Sequence, residues 1–164
     1  MSEPVLKELM NTIPQVGKVE MITVRPEKRK FPIQVQSVNV TVASGLEGDH
    51  FSSTRSTKRQ VTFIQKEHLD AVGSILGKEV DPLLTRRNIV ISGINLLALK
   101  NQRFRVGTAV FEGTGECHPC SRMEENLGEG GYNAMRGHGG LTARVIEDGE
   151  IHAGDEVFFE VGQD

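Results

Sequence analysis

Cys117 and Cys120 stand three positions apart in the run Cys117-His118-Pro119-Cys120, and the chain has no other cysteine. A thiolate is both a strong nucleophile and a soft metal ligand, so chemistry is expected here first. Three uses compete. A thiol–disulfide pair would follow a strand and open a helix inside a strand–helix–strand setting. Half of a zinc site would need further ligands, and with no second cysteine pair only His50, His118 or His138 could complete it. The third use is a single working thiolate at Cys120, with Cys117 as helper or bystander. Cys120 is the better nucleophile: Pro119 fixes the backbone before it, Arg122 adds positive charge, and a helix start there would favour an anion. Against all three stands a buried, inert cysteine, a common fate of free thiols.

Arg86-Arg87-Asn88 precedes the apolar run Ile89-Val90-Ile91. Arginine at a strand mouth can grip a phosphate through two parallel hydrogen bonds, and an asparagine amide both donates and accepts, which suits a heterocycle edge. Taken alone, two adjacent arginines are better explained as surface ion pairs with Asp or Glu. Basic residues recur in clusters: Arg25, Lys28, Arg29 and Lys30; Arg55, Lys58 and Arg59; Arg103 and Arg105. Yet the net charge is -3 and the pI about 6.0. With one Tyr and no Trp, a nucleic-acid interface is not expected. Local clusters on a mildly acidic chain suit a small anionic ligand.

Two glycine-rich loops, 45–50 and 128–140, match neither a phosphate-cradling loop nor a dinucleotide fingerprint. His50 follows Asp49 and could be oriented by it. His68 reads as plain helix surface. Neither a Ser-His-Asp order nor a helical His-Glu zinc motif is present.

The elements that must hold these residues are short. Residues 3–13 carry Leu6, Leu9, Met10 and Ile13 at helical spacing. Strand patterns occupy 16–24, 38–42, 61–64, 89–91, 104–111 (turning at Gly107), 141–146 and 157–161. Residues 66–76 form a helix with Gly77 as its stop, and Asp81-Pro82 could cap one helical turn. Residues 121–127 permit another helix. The six glycines of 128–140 predict a loop, and Asp148-Gly149 predicts a tight hairpin. No strand–helix alternation points to a doubly wound sheet. The expected fold is mostly β (α+β): a closed or partly open antiparallel β-barrel with two or three short helices. The 164 residues fit a single domain, 1–164, in which 1–15 is an N-terminal tail or docking helix. No apolar run is long enough to span a membrane, and the N-terminus lacks signal-peptide character, so a cytoplasmic location with reduced thiols and no membrane partner is expected.

Together, Gly-Leu-Glu-Gly-Asp-His (45–50), Arg-Gln-Val-Thr (59–62), Arg-Arg-Asn-Ile-Val (86–90), Cys-His-Pro-Cys-Ser-Arg (117–122) and Gly-Gly-Leu-Thr-Ala-Arg-Val (139–145) resemble the MOSC domain. So does the closing stretch 149–157. That domain ends the molybdenum cofactor sulfurases and also occurs as small stand-alone proteins. The resemblance covers roughly residues 16–161. It implies a β-barrel that binds a molybdenum–pterin cofactor or handles sulfur destined for one. It assigns the metal-ligating and catalytic thiolate to Cys120, and cofactor contacts to Arg86, Asn88 and Lys28, with Arg122 beside them. His50 stands where the family often has Arg. An oxidoreductase acting on N-hydroxylated compounds is the implied activity. A sulfur carrier with a persulfide on Cys120, and a non-catalytic cofactor-binding module, are the alternatives. The implied partners are the cofactor and a separate cysteine desulfurase or electron-transfer protein. The pyridoxal-phosphate part of full sulfurases has no counterpart here, so no pyridoxal phosphate is expected in this chain alone.

Overall fold

The computed structural model describes residues 2–28, 30–50 and 56–161; Arg29 and Arg55 of the basic clusters lie outside them. Eleven strands follow in chain order: β1 (Gly17–Val24), β2 (Ile33–Val35), β3 (Ser37–Thr41), β4 (Gly45–Leu46), β5 (Val61–Gln65), β6 (Ile89–Ser92), β7 (Arg103–Val106), β8 (Ala109–Glu116), β9 (Leu141–Glu147), β10 (Gly149–His152) and β11 (Glu156–Glu160). Seven of them close a barrel in the order β11-β7-β8-β9-β5-β6-β1, sealed where Gly17 and Lys18 of β1 pair with Val157 and Glu156 of β11. Strand β2 extends β1 outward, and β3, β4 and β10 form a separate three-stranded sheet.

Alternation dictates what the barrel encloses. Val38 and Val40 are buried while Asn39 between them is exposed, as a strand with one dry face requires. Phe63, Phe104 and Phe111 are fully buried. Phe63 meets the other two rings edge-on at 5.3 and 5.2 Å, the arrangement favoured by ring quadrupoles. Truncating such a ring typically costs about 3–5 kcal/mol.

Four helices accompany the strands: α1 (Glu3–Met10), α2 (Lys66–Leu76), α3 (Ser121–Leu127) and α4 (Gly131–Met135). Helix α2 ends at Gly77 in the left-handed region, φ 72°, where glycine pays no Cβ penalty. It carries the chain from β5 to β6, which therefore pair in parallel, the exception in a barrel otherwise antiparallel. Side chains of α2, α3 and α4 pack on the outward-facing Ile64 and Val90, forming a second apolar core with Leu69, Val72, Met123, Leu127 and Met135.

Two local expectations fail. Asp148-Gly149 does not make a hairpin: β10 pairs with β3, not with β9. The Asp148 carboxylate instead accepts from Val42 N at 2.7 Å, so a turn-like dipeptide serves a change of sheet. The glycine-rich segment is not all loop, because it contains α4. Gly131 lies where any Cβ would strike Leu127 and the Met123 carbonyl, and the Glu124 carboxylate caps α4 by accepting from Gly130 N and Tyr132 N, both at 2.9 Å. Those bonds hold the Glu124 carboxyl below the usual carboxylate range.

Candidate functional site

Strand β8 delivers the cysteines. Its register with β9 shifts between Gly113 and Gly115, a bulge that re-aims the strand end. Beyond Glu116, Cys117 N donates to the Gly140 carbonyl at 2.8 Å. A side chain at Gly139 would fall on the Cys117 carbonyl, so only glycine allows the two loops to touch. Cys117 is buried and Cys120 exposed, both as free thiols. Cys120 is extended (φ -119°, ψ 175°) and accepts from Met123 N at 2.9 Å, which starts α3.

This geometry sorts the three uses of the pair. Among the described residues, no group of three His, Cys, Asp or Glu side chains converges on a metal position, so a closed zinc site is not formed. The cysteines follow an antiparallel barrel strand, not the strand–helix–strand unit of a thiol–disulfide enzyme. What the geometry presents is one exposed thiol, Cys120, beside a buried one, Cys117.

The mouth of β6 supplies the facing wall. Asp81 accepts from Leu83 N at 3.0 Å and starts the 3₁₀ turn Pro82–Thr85, as its sequence predicts. Arg86 then takes the left-handed region, φ 61°, at a cost of roughly 1 kcal/mol for a residue with a Cβ. Such strain clusters at working sites. Neither arginine forms an ion pair among the described residues, so the surface-pair explanation fails for both. Arg87 is buried, 8% exposed, and donates to the carbonyls of Gly139 (2.7 Å), Thr85 (3.1 Å) and His118 (3.4 Å). The Arg86 guanidinium has no hydrogen-bond partner among the described residues. Burial pulls its pKa below the usual value; Arg25 and Arg122 push the same way, and the Cys120 sulfur opposes.

Asn88 is spent within the protein. Its Oδ1 accepts from Thr62 N (3.0 Å) and Thr62 Oγ1 (3.1 Å), and its Nδ2 donates to the Thr23 carbonyl and to Asp49 Oδ1, both at 3.3 Å. Arg25 N donates to the same Asp49 oxygen at 2.8 Å. Burial raises the Asp49 pKa; the Arg25 N–H, the Arg25 charge, Asn88 and His50 partly offset it.

Two adjoining cavities result. One, about 340 Å³, is lined by Cys120, Met123, Lys28, Arg122, Arg87, Arg25 and Arg86. The other, about 280 Å³, is lined among others by Arg25, Asp49, His50, Arg59, Arg86 and Asn88. Arg25 and Arg86 belong to both, so they join one cleft. Every residue proposed from sequence borders it: Cys120, Lys28 and Arg122 on one side, Asn88 and His50 on the other, Arg86 between. His50 is fixed by its backbone, whose N–H donates to the Arg25 carbonyl at 2.6 Å. Sequence reasoning passed over Arg25 and Asp49 as site residues. Arg25 was one cation in a cluster, and Asp49 stood only as a neighbour of His50. Arg25 Nε is buried without a partner, which marks a donor awaiting an acceptor.

A family model described as the MOSC domain matches residues 39–158, most of the chain, beginning within β3 and ending within β11. The chain belongs to the MOSC domain family. Among solved structures, YuaD from Bacillus subtilis superposes with a TM-score of 0.76 at 18% identity, covering 89% of this chain and 97% of that one. YiiM from Geobacillus stearothermophilus gives 0.72 at 16% identity, covering 88% and 75%. YiiM from Escherichia coli gives 0.66 at 18% identity, covering 89% and 71%. At these identities the likeness concerns the fold. No curated protein matches the chain in sequence. The MOSC domain is associated with molybdenum cofactor binding and with the C-termini of sulfurases. Among the described residues, no helix is long and apolar enough to cross a membrane.

Proposed function

We propose that this protein binds a molybdenum–pterin cofactor along the cleft and acts as an oxidoreductase on N-hydroxylated compounds. The observation that carries the reading is the exposed Cys120 thiol sharing one cavity with Arg86 and Arg122, which form no salt bridge among the described residues. The residues fit such a group. Cys120 offers a soft ligand to the metal. Arg86, free of ion pairs, and Arg25, whose Nε is orphaned, can take the phosphate with bidentate bonds. When bound, the cofactor would supply the redox chemistry.

The chain's own residues do the rest. Lys28, Arg122 and Arg86 line the same cavity as Cys120 and bring positive charge to it, which favours an anionic ligand there. Asp49 presents a second carboxylate oxygen beside the arginines, while its first is held by Arg25 N and the Asn88 amide. Asn88 acts in this reading by orienting Asp49 rather than by touching the pterin, because its amide is already used.

Expression in a host that makes the cofactor tests this. Wild-type protein is expected to carry molybdenum and pterin, and Cys120→Ser to lose the metal. Absence of molybdenum from wild type with Cys120 intact would overturn the reading. The exposure of Cys120 also suits a sulfur carrier. Incubation with a cysteine desulfurase and its substrate would then add sulfur to wild type and not to Cys120→Ser. Retained cofactor without turnover of N-hydroxylated substrates would mark a binding module instead. A desulfurase or an electron-transfer protein is the partner that each active reading requires.

A further inference from the structure

A guanidinium withdrawn from water costs several kcal/mol unless every donor is answered, and acids usually answer it. Arg87 is answered by carbonyl oxygens alone, from three separate segments: Thr85 before β6, His118 in the cysteine run and Gly139 in the glycine-rich loop. Only a planar fork with donors on both edges reaches three such acceptors together; an ammonium on a flexible stem does not. The far end of α3 is tied to the same region, since Asn126 Nδ2 donates to the Leu84 carbonyl at 2.9 Å. The helix that begins after Cys120 is therefore anchored at entry and exit to residues 84–87. Arg86 lies within that anchor.

We propose that Arg87 is a positioning residue, a buried three-carbonyl clamp that holds the 117–120 and 137–140 loops against the segment carrying Arg86. The clamp sets where Cys120 stands relative to Arg86, and it keeps Cys117 out of solvent. Its consequence at Cys120 rests on the cleft reading above; the clamp itself does not.

The test uses apo protein in a Cys120→Ser background, so that Cys117 is the one thiol. Alkylation of Cys117 by iodoacetamide is followed by intact mass, alongside thermal melting. Arg87→Lys keeps the charge but cannot span the three carbonyls. It is expected to label about tenfold faster or more than the parent, at a rate unchanged by low urea, as local opening predicts. Arg87→Ala should label as fast and regain protection when millimolar guanidinium fills the vacated site, whereas Arg87→Met, which fills it with carbon, should not. Labelling of Arg87→Lys no faster than the parent would overturn the clamp. Acceleration that rises with urea from the lowest concentrations would also overturn it, because Arg87 would then support only global stability. If Arg87→Ala fails to fold, Arg87→Lys decides alone.

A second measurement keeps Cys120 intact. Arg87→Lys is expected to lose molybdenum–pterin about tenfold faster than wild type. Equal retention would refute the positioning role while leaving the cofactor reading in place. A wild type that never holds cofactor would refute that reading, with the clamp still judged by Cys117.

Discussion

On the Asn88 side of the cleft, both faces of the amide are bonded, Thr62 and Thr23 are bonded to it, and one Asp49 oxygen receives two donors. On the Cys120 side, the side chains of Cys120, Lys28 and Arg122 have no hydrogen-bond partner among the described residues, and only Arg87 there is bonded. Around Asn88 the polar groups of the first lobe answer one another, with the second Asp49 oxygen left over. The second lobe is a set of groups held in reserve. A site that must recognise a fixed shape gains from rigid supports, whereas groups meant to meet a ligand must not satisfy one another first. Arg86 stands at the border, strained in its backbone and free in its side chain.

That contrast can be broken by substitution. Asn88→Ala would have the largest effect on stability, a loss of about 2 kcal/mol, because the Thr62 N–H and the Thr23 carbonyl lose partners in a half-buried setting. Urea unfolding measures it. Arg86→Gly should move the other way, gaining about 1 kcal/mol as the left-handed strain is relieved, while phosphate or pterin binding by calorimetry weakens. Loss of stability in Arg86→Gly would show that Arg86 supports the fold. Cys120→Ser should change unfolding free energy by less than about 0.5 kcal/mol, as an exposed residue does, yet remove metal from the isolated protein.

The smallest effect is in pH. Burial raises the folded pKa of Asp49 above its ordinary 3.8. The folded state then holds that proton more tightly, so this stabilisation is full below 3.8 and is lost as pH rises through the raised value. Asp49→Asn should remove that slope from stability measured against pH. His68 supplies the opposite sign. Burial first, then the nearby His138, lowers its pKa below 6.5, while Glu67 opposes. Its contribution is intact above 6.5 and falls as pH drops from there toward the depressed folded value. His68→Gln should flatten that second decline.

Much of the barrel was legible because alternation and turn chemistry are local. Val38 and Val40, Gly77 and the Asp81 cap each did what their types dictate. The parallel β5–β6 pair was not legible, since strand order depends on what packs across the barrel. Asp148-Gly149 looked like a hairpin because its signal is identical whether the chain folds back or passes to another sheet. In the candidate site, residue type alone singles out Cys120 and Arg86, and both border the cleft. Arg87 was not legible, because a buried guanidinium answered by carbonyls has no sequence signature: its partners are backbone atoms. The amide of Asn88 was assigned to a ligand for the same reason, its real partners being the backbone of Thr23 and the backbone and hydroxyl of Thr62 together with Asp49.

The seam between β1 and β11 couples the beginning of the chain to its end. Strand β1 leaves the ribosome early and waits for Glu156 and Val157 before the ring can shut. Until then β7 and the first half of β1 expose unpaired backbone, the kind of edge that recruits strands from other molecules. Long-range closure of this sort slows folding. A chain from which β11 has yet to emerge is therefore the form of this protein most in need of a chaperone.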